Sequence, residues 1–235
     1  MRGPLMKRYI ATVETTEYVG DDIIIIYFAL PKKTDFSYEA GQYITILFEG
    51  SSTPAGKAYS LSSAPHEKSL SITVKNVGEF SGRLYAMKSG DTFEMSEAYG
   101  HFNPHSARPL IALSAGVGIA PVWSVIKSAL GENDDRVAHL FYANASHTAI
   151  AHHQTIDRHV DTHAGFAVHH HITRASKIPK TMMRGRIDLD MCIKAVEGEA
   201  NYLICGSVDF VRDMWRGLLT RGIPQELIST ETFFE

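Results

Sequence analysis

Apolar and polar positions alternate in short runs over the first hundred residues. Residues 8–14 and 41–48 repeat with the period of two that a half-buried strand requires, and residues 22–30 are rich in β-branched and aromatic side chains. Residues 58–62, 69–75 and 91–95 complete a set of six predicted strands. Turn residues separate them at Gly20-Asp21, Pro31, residues 50–56, Pro65 and Ser89-Gly90-Asp91. Short strands at this spacing predict an antiparallel barrel or sandwich. One helix is expected among them, at residues 80–87, entered through Gly78 and Ser81.

Beyond Phe102 the period changes. Residues 103–109 form a polar stretch marked by Pro104 and Pro109, suited to a linker. Predicted strands at 110–114, 137–143, 166–173 and 202–205 then alternate with helices at 121–130, 149–160, 188–196 and 208–221, the last closed by Gly222. Such alternation implies a parallel sheet with helices on both faces. The expectation is a six-stranded antiparallel β-barrel domain over residues 1–104, followed by an α/β Rossmann-like domain over residues 105–235.

The stretch Leu113-Ser-Ala-Gly-Val-Gly-Ile-Ala-Pro-Val122 joins the first strand of that second domain to its first helix. Gly116 and Gly118 turn the chain tightly, and Pro121 suits a helix's first turn, where a missing N–H costs nothing. Strand, glycine turn and helix N-terminus together either hold a diphosphate or make an ordinary tight connection.

Composition narrows the classes. The chain has 235 residues, 44% of them hydrophobic and 21% charged, with a net charge of −3. The charge argues against a nucleic-acid binder driven by bulk electrostatics. Cys192 and Cys205 are the two cysteines, too few for a four-thiolate cluster or a disulfide framework. The first twenty residues carry no apolar run of signal-peptide type, and the aliphatic run Ile23 to Ile26 is far too short to span a bilayer. A cytoplasmic location without a membrane span is the expectation.

Three further constellations can carry chemistry. Lys57-Ala58-Tyr59-Ser60 places a cation, a flat ring and a hydroxyl on one strand, suited either to a polyanionic cofactor or to a solvated edge. Gly78-Glu79-Phe80-Ser81 is either a phosphate-binding helix start or a plain cap. Cys205-Gly206-Ser207-Val208-Asp209 repeats the strand, glycine turn and helix arrangement on a later strand, so both turns can face one ligand.

Taken in order, these motifs resemble those of the ferredoxin–NADP reductase superfamily, from about Tyr9 to Phe233. Lys57-Ala58-Tyr59-Ser60 is similar to its flavin motif Arg-x-Tyr-Ser, and Gly78 to Ser81 to its Gly-x-x-Ser diphosphate motif. Gly100-His-Phe102 is similar to the Gly-x-Phe that ends its flavin domain. Gly116-Val117-Gly118-Ile119-Ala120-Pro121 resembles its nicotinamide-dinucleotide motif, Cys205-Gly206 its Cys-Gly-x-x, and Glu231-Thr-Phe233 its acidic–aromatic terminus.

The resemblance implies FAD as cofactor and NADPH or NADH as co-substrate. It places Tyr59 against the isoalloxazine ring and Ser60 on its reactive nitrogen. Lys57 and Ser81 would meet the flavin diphosphate, and the main chain of Thr73, Val74 and Lys75 would follow the ribityl chain. Residues 116–121 would hold the pyridine nucleotide's diphosphate, Cys205 would sit near its reactive carbon, and Phe233 or Phe234 would cover the second flavin face. The implied catalytic set is Tyr59, Ser60, Cys205, Glu231 and Phe233. Thr173-Arg174 resembles the pair that binds a 2′-phosphate, with Arg184 or Arg186 as helpers, which favours NADPH. The implied activity is hydride transfer from NAD(P)H to FAD, with electrons passed to a separate redox protein such as ferredoxin, flavodoxin or an oxygenase component. Reduction of free flavin or small acceptors, or a non-catalytic subunit's role, stay open, as does oligomeric state.

Some positions depart from the family pattern. Lys57 stands where arginine is usual, keeping the charge but losing the bidentate fork. Ala98-Tyr-Gly100 lacks a proline, and Tyr142-Ala-Asn-Ala-Ser146 lacks an arginine. The adjacent histidines His152-His153 and His169-His170-His171 read as polar surface or partly buried residues, because strand neighbours point to opposite faces, and no metal is assigned to them.

Overall fold

The run Ile23-Ile-Ile-Ile26 has no polar alternation because both of its faces are buried. Ile24 and Ile26 enter the core of one sheet, whereas Ile23 and Ile25 join a second core built mainly from the other half of the chain. This is how the two halves of the molecule meet. The computed structural model describes residues 7–131 and 136–233.

In chain order the first half comprises β1 (Arg8–Val19), β2 (Ile23–Ala29), β3 (Tyr43–Leu47), β4 (Lys57–Ser60), β5 (Leu70–Lys75), α1 (Glu79–Tyr85) and β6 (Thr92–Tyr99). All six strands pair antiparallel in the order β4-β3-β6-β1-β2-β5. The two edge strands then meet. A bridge joins Leu61 to Ile72 on β5, and the Ser62 N–H donates to the Ser71 carbonyl at 2.8 Å, so the sheet curls closed into the expected barrel. Two strands run longer than their periodicity predicts. β1 continues past Glu14 through a register shift at Val13/Thr15, and β6 continues to Tyr99 past a shift opposite Ile44 and Ile46. An irregularity of this kind inserts a residue and breaks the alternation on which the prediction relies.

The second half comprises β7 (Leu110–Ala115), α2 (Ile119–Leu130), β8 (Ala138–Asn144), α3 (His153–Thr162), β9 (Phe166–Ile172), β10 (Met183–Arg184), α4 (Leu189–Ile193), β11 (Asn201–Ser207), α5 (Val208–Thr220) and β12 (Ile228–Phe233). Its six strands are all parallel, in the order β10-β9-β8-β7-β11-β12. Side chains of β7 alternate between cores: Leu110 and Ala112 pack toward α2 and α3, Ile111 and Leu113 toward α4 and α5. Two strands escape prediction. β10 has only two residues, and β12 is a partly exposed edge strand whose threonines and glutamate break the apolar run. The helix expected from Ala149 begins at His153, after a tight turn at His147–Ala149.

Candidate functional site

The chain leaves β7 toward β8 on one side and returns to β11 on the other, so a crevice opens at the carboxyl end of β7. The glycine turn sits in it. Gly116–Gly118 forms a tight helical turn leading into α2, with Gly116 at φ 53°. A side chain on Gly118 would place its Cβ 2.3 Å from the Cys205 carbonyl oxygen, so this position admits glycine alone. At Gly206 an added Cβ would meet the Phe210 ring at 2.8 Å and the Ala115 Cβ at 3.1 Å. The two glycine turns of β7 and β11 therefore touch. Ser207 closes the second of them by capping α5, its hydroxyl accepting from the Phe210 N–H at 3.4 Å.

A cleft of about 1340 Å³ runs from these turns to the face of the barrel. Sites for a single drug-sized ligand occupy roughly 300–1,000 Å³, so this volume suits more than one small molecule. The parallel sheet lines it with Gly116, Val117, Gly118, Thr173, Arg174, Gly206, Ser207, Asp209, Glu231 and Phe233. Lys57, Ala58, Tyr59, Ser60, Thr73, Val74, Lys75 and Ser81 line it from the barrel side. Residues scattered from 57 to 233 thus converge on one space.

Ser60 and Glu231 come together from opposite sheets, the Ser60 hydroxyl donating to Glu231 Oε1 in a very short contact. Burial raises the Glu231 carboxyl above its ordinary range, against the lowering effect of the serine. Burial also pushes the Tyr59 phenol up to about 12. The Tyr59 ring lies nearly parallel to Phe80, with centroids 6.3 Å apart, and Lys57 Nζ stands 5.9 Å from the Phe80 ring centre.

Several residues expected at the site stand behind its walls. Phe80 is buried in the barrel core as the backing of Tyr59. Ile119, Ala120 and Pro121 form the buried first turn of α2, where their apolar side chains pack inward. Gly78 lies outside the cleft, and its N–H, like that of Val77, donates to the Ser81 hydroxyl. Cys205 is fully buried beneath Gly118, its thiol raised by burial and then by Glu231 opposite it in register. Phe234 lies outside the described residues.

The loops after β8 and β9 sort the remaining polar groups. Thr173 donates both its N–H and its hydroxyl to the Asn144 carbonyl, at 2.9 and 3.1 Å. Arg184 is spent on the Ala175 and Ser176 carbonyls and holds the loop, whereas Arg186 lines the cleft with Arg174. Lining residues that the motifs did not flag include Tyr43, Asn144, Met214 and Thr230. The alternation of residues 41–48 placed Tyr43 on a strand, and the predicted helix at 208–221 carried Met214, but nothing in one sequence says which strand ends meet.

Two family models match the two halves of the chain in turn. The family model described as oxidoreductase FAD-binding domain matches residues 10–103, and that described as oxidoreductase NAD-binding domain matches residues 112–215. Reductase component 1 of terephthalate 1,2-dioxygenase from Comamonas sp is 30% identical over 188 residues, covering 77% of this chain and 55% of that protein. The chain spans about half the length of the curated relatives it matches. Among solved structures, the flavohem-like FAD/NAD binding domain of nitric oxide dioxygenase from Vibrio cholerae O1 biovar El Tor superposes with a TM-score of 0.84 at 22% identity, covering 96% of this chain and 98% of that one. A ferredoxin NADP+ reductase from Neisseria gonorrhoeae with bound FAD and NADP gives 0.80 at 19% identity, covering 98% and 100%. At these identities the structural likeness concerns the fold.

Proposed function

The chain belongs to the ferredoxin–NADP reductase superfamily of paired FAD-binding and NAD-binding oxidoreductase domains, and from that premise we propose that it takes hydride from NAD(P)H onto FAD and passes electrons to a separate carrier such as ferredoxin, flavodoxin or an oxygenase component. The observation that carries this reading is the convergence of the Lys57–Ser60 strand and the two glycine turns on one cleft. The domains divide between residues 104 and 105, in the segment joining β6 to β7. The cytoplasm is the compartment, since it supplies reduced pyridine nucleotide.

FAD, when bound, accepts two electrons at once and releases them singly. The chain's own residues supply position and protons. Tyr59, stiffened by Phe80, offers a flat apolar bed for a ring. Lys57 would bring positive charge to the FAD diphosphate. The open space beside Gly116 would let a second diphosphate approach the backbone, while Gly118 lets the turn after β7 pack directly against the backbone of β11 behind it. Ser60 and Glu231 hold a proton between them where the barrel meets β12. Holding the flavin and nicotinamide rings in position would be most of what the cleft residues contribute.

NADPH is the preferred coenzyme. Arg174 and Arg186 are exposed at the cleft, and β8 ends in Asn144, followed by Ala145, rather than in an acid that would take a ribose hydroxyl. Thr173 contributes less than its motif suggests, because its hydroxyl hydrogen is already given to Asn144. Arg174→Ala should raise the KM for NADPH roughly tenfold or more, the scale of a lost charged hydrogen bond, and leave that for NADH unchanged. Equal effects on both coenzymes would reject this assignment.

The whole reading is tested by anaerobic titration with NADPH and NADH separately, followed by a screen of acceptors. Yellow protein that bleaches supports it, and a colourless protein that neither binds added FAD nor oxidises either coenzyme overturns it. Turnover with free flavins alone would replace the carrier protein by a small acceptor.

A further inference from the structure

On the face of the parallel sheet away from α4 and α5, His170 of β9 points toward α3. Its side chain is 7% exposed, and neither ring nitrogen has a hydrogen-bond partner. A neutral imidazole has one N–H to donate and one lone pair to fill, and leaving both unmet in a buried place costs about 1–3 kcal/mol for each. Facing it are His153 and Asp157, one turn apart on α3, with His153 Nε2 and Asp157 Oδ2 3.6 Å from each other. The His153 and His170 rings meet edge to face, with centroids 5.0 Å apart. One ligand-capable atom from each of the three residues lies within 4.8 Å of the others.

We propose that His153, Asp157 and His170 form a binding site for a divalent transition-metal ion of the zinc class, with a fourth position open to water. Two imidazoles and a carboxylate are a donor set that zinc accepts in tetrahedral geometry, at about 2.0–2.2 Å from each ligand. Ligand atoms in such a tetrahedron lie roughly 3.3–3.5 Å apart, so the 3.6 Å between His153 and Asp157 is already near the required spacing. Closing the remaining distance to His170 takes small rotations of the two helical side chains, which are 35% and 56% exposed. The outward side of those two residues supplies the open position.

The site lies next to the junction of the two sheets. His152, immediately before His153, is buried and shares a hydrogen bond of 2.8 Å between its Nε2 and Thr73 Oγ1 on β5, a residue of the cleft wall. A metal ion would pin the first turn of α3 to β9 and so fix the helix start that carries this contact. Its role is structural: a clamp that stiffens the α3 side of the cleft. No step of the proposed hydride transfer passes through it.

The test uses the untagged full chain after treatment with a chelator. Zinc and cobalt are titrated in by calorimetry and by visible absorption, and thermal unfolding is followed with and without zinc. One equivalent should bind, cobalt should give an intense tetrahedral spectrum, and zinc should raise Tm. Asp157→Asn, on an exposed position, should leave the metal-free Tm unchanged while weakening zinc binding about 100-fold, a loss at least as large as that from removing an outer-shell partner. His170→Ala should abolish binding. A control variant, His169→Ala, removes a different histidine pair, His139 and His169, whose ring nitrogens are 3.2 Å apart, and it should bind zinc normally. Absence of metal-dependent stabilisation in the parent would overturn the proposal. So would binding that survives in Asp157→Asn and His170→Ala but is lost in His169→Ala.

Discussion

Glu231 shows how tertiary burial changes the chemistry of one side chain. It sits on β12 beside Cys205 and reaches Ser60 across the cleft, and burial raises its carboxyl above the ordinary value of 4.5. The unfolded chain therefore releases this proton at lower pH than the folded one. Stability contributed at Glu231 is present below about pH 4.5 and is lost as pH rises through the folded value. Glu231→Gln removes that loss. The variant should unfold at a higher temperature than the parent at pH 8, with the gap closing toward pH 4.5, and thermal melts across that range measure it. A constant gap at every pH would mean that the carboxyl ionises as it does in water. Cys205 lies at the same register position but fully buried, so its place in the motif reflects packing beneath Gly118 as much as chemistry.

At the scale of elements, the turn between β7 and α2 demands glycine for two different reasons, backbone conformation at Gly116 and close approach at Gly118. Gly116 takes a positive φ with open space around it, whereas Gly118 is confined by the backbone of Cys205 and Gly206. Gly118→Ala must push β7 and β11 apart where both face the cleft. An overpacking cost of about 1–3 kcal/mol is expected, together with a raised KM for both coenzymes, read from denaturant melts and steady-state kinetics. A variant with unchanged stability and unchanged KM would show that the turns do not form one wall. Gly116→Ala should leave the packing of β7 on β11 intact, since its added methyl meets nothing within 4 Å, but should still weaken coenzyme binding, because that methyl stands at the cleft and a φ of 53° disfavours any side chain. β12 makes the converse point. It has little apolar character of its own, yet pairing with β11 over residues 202–207 holds it in place and brings Glu231 and Phe233 to the cleft.

Across the whole molecule, the barrel and the parallel sheet are joined by apolar packing and a few polar ties. Val19, Ile23, Ile25, Ala40 and Phe102 share a core with Val122, Trp123, Val125 and Ile126 of α2. Ser124 accepts from the Gly41 N–H at 3.3 Å and donates to the Ser63 carbonyl at 2.6 Å. Lys127, buried on α2, pairs with Glu67 from the barrel side, and burial lowers the ammonium against the pull of that carboxylate. Removing one partner of such a pair leaves a charge without compensation. Glu67→Gln should destabilise by about 1–3 kcal/mol, less than a fully buried pair because Glu67 is 35% exposed. Lys127→Met should cost little, as its stem already lies among apolar neighbours. Urea unfolding of both variants decides it: equal losses would show that the pair itself contributes net stability.

Side-chain pattern alone carries the change from period two to alternating strand and helix near Phe102, the members of both sheets except β10 and β12, and the glycine turns that face the cleft. These are local properties, written in side-chain pattern and in backbone demands that only glycine meets. Tertiary structure decided what the pattern cannot carry. It set the curling of the first sheet through the Leu61–Ile72 bridge, and it placed Phe80, Pro121 and Cys205 behind the wall. It also separated Arg184, tied to its own loop, from Arg186 at the cleft, and drew His153, Asp157 and His170 together from a helix and a strand. The physical reason is one of range. Periodicity reports which face of an element is buried, whereas a site depends on which strand ends and helix starts become neighbours, and long-range packing alone fixes that.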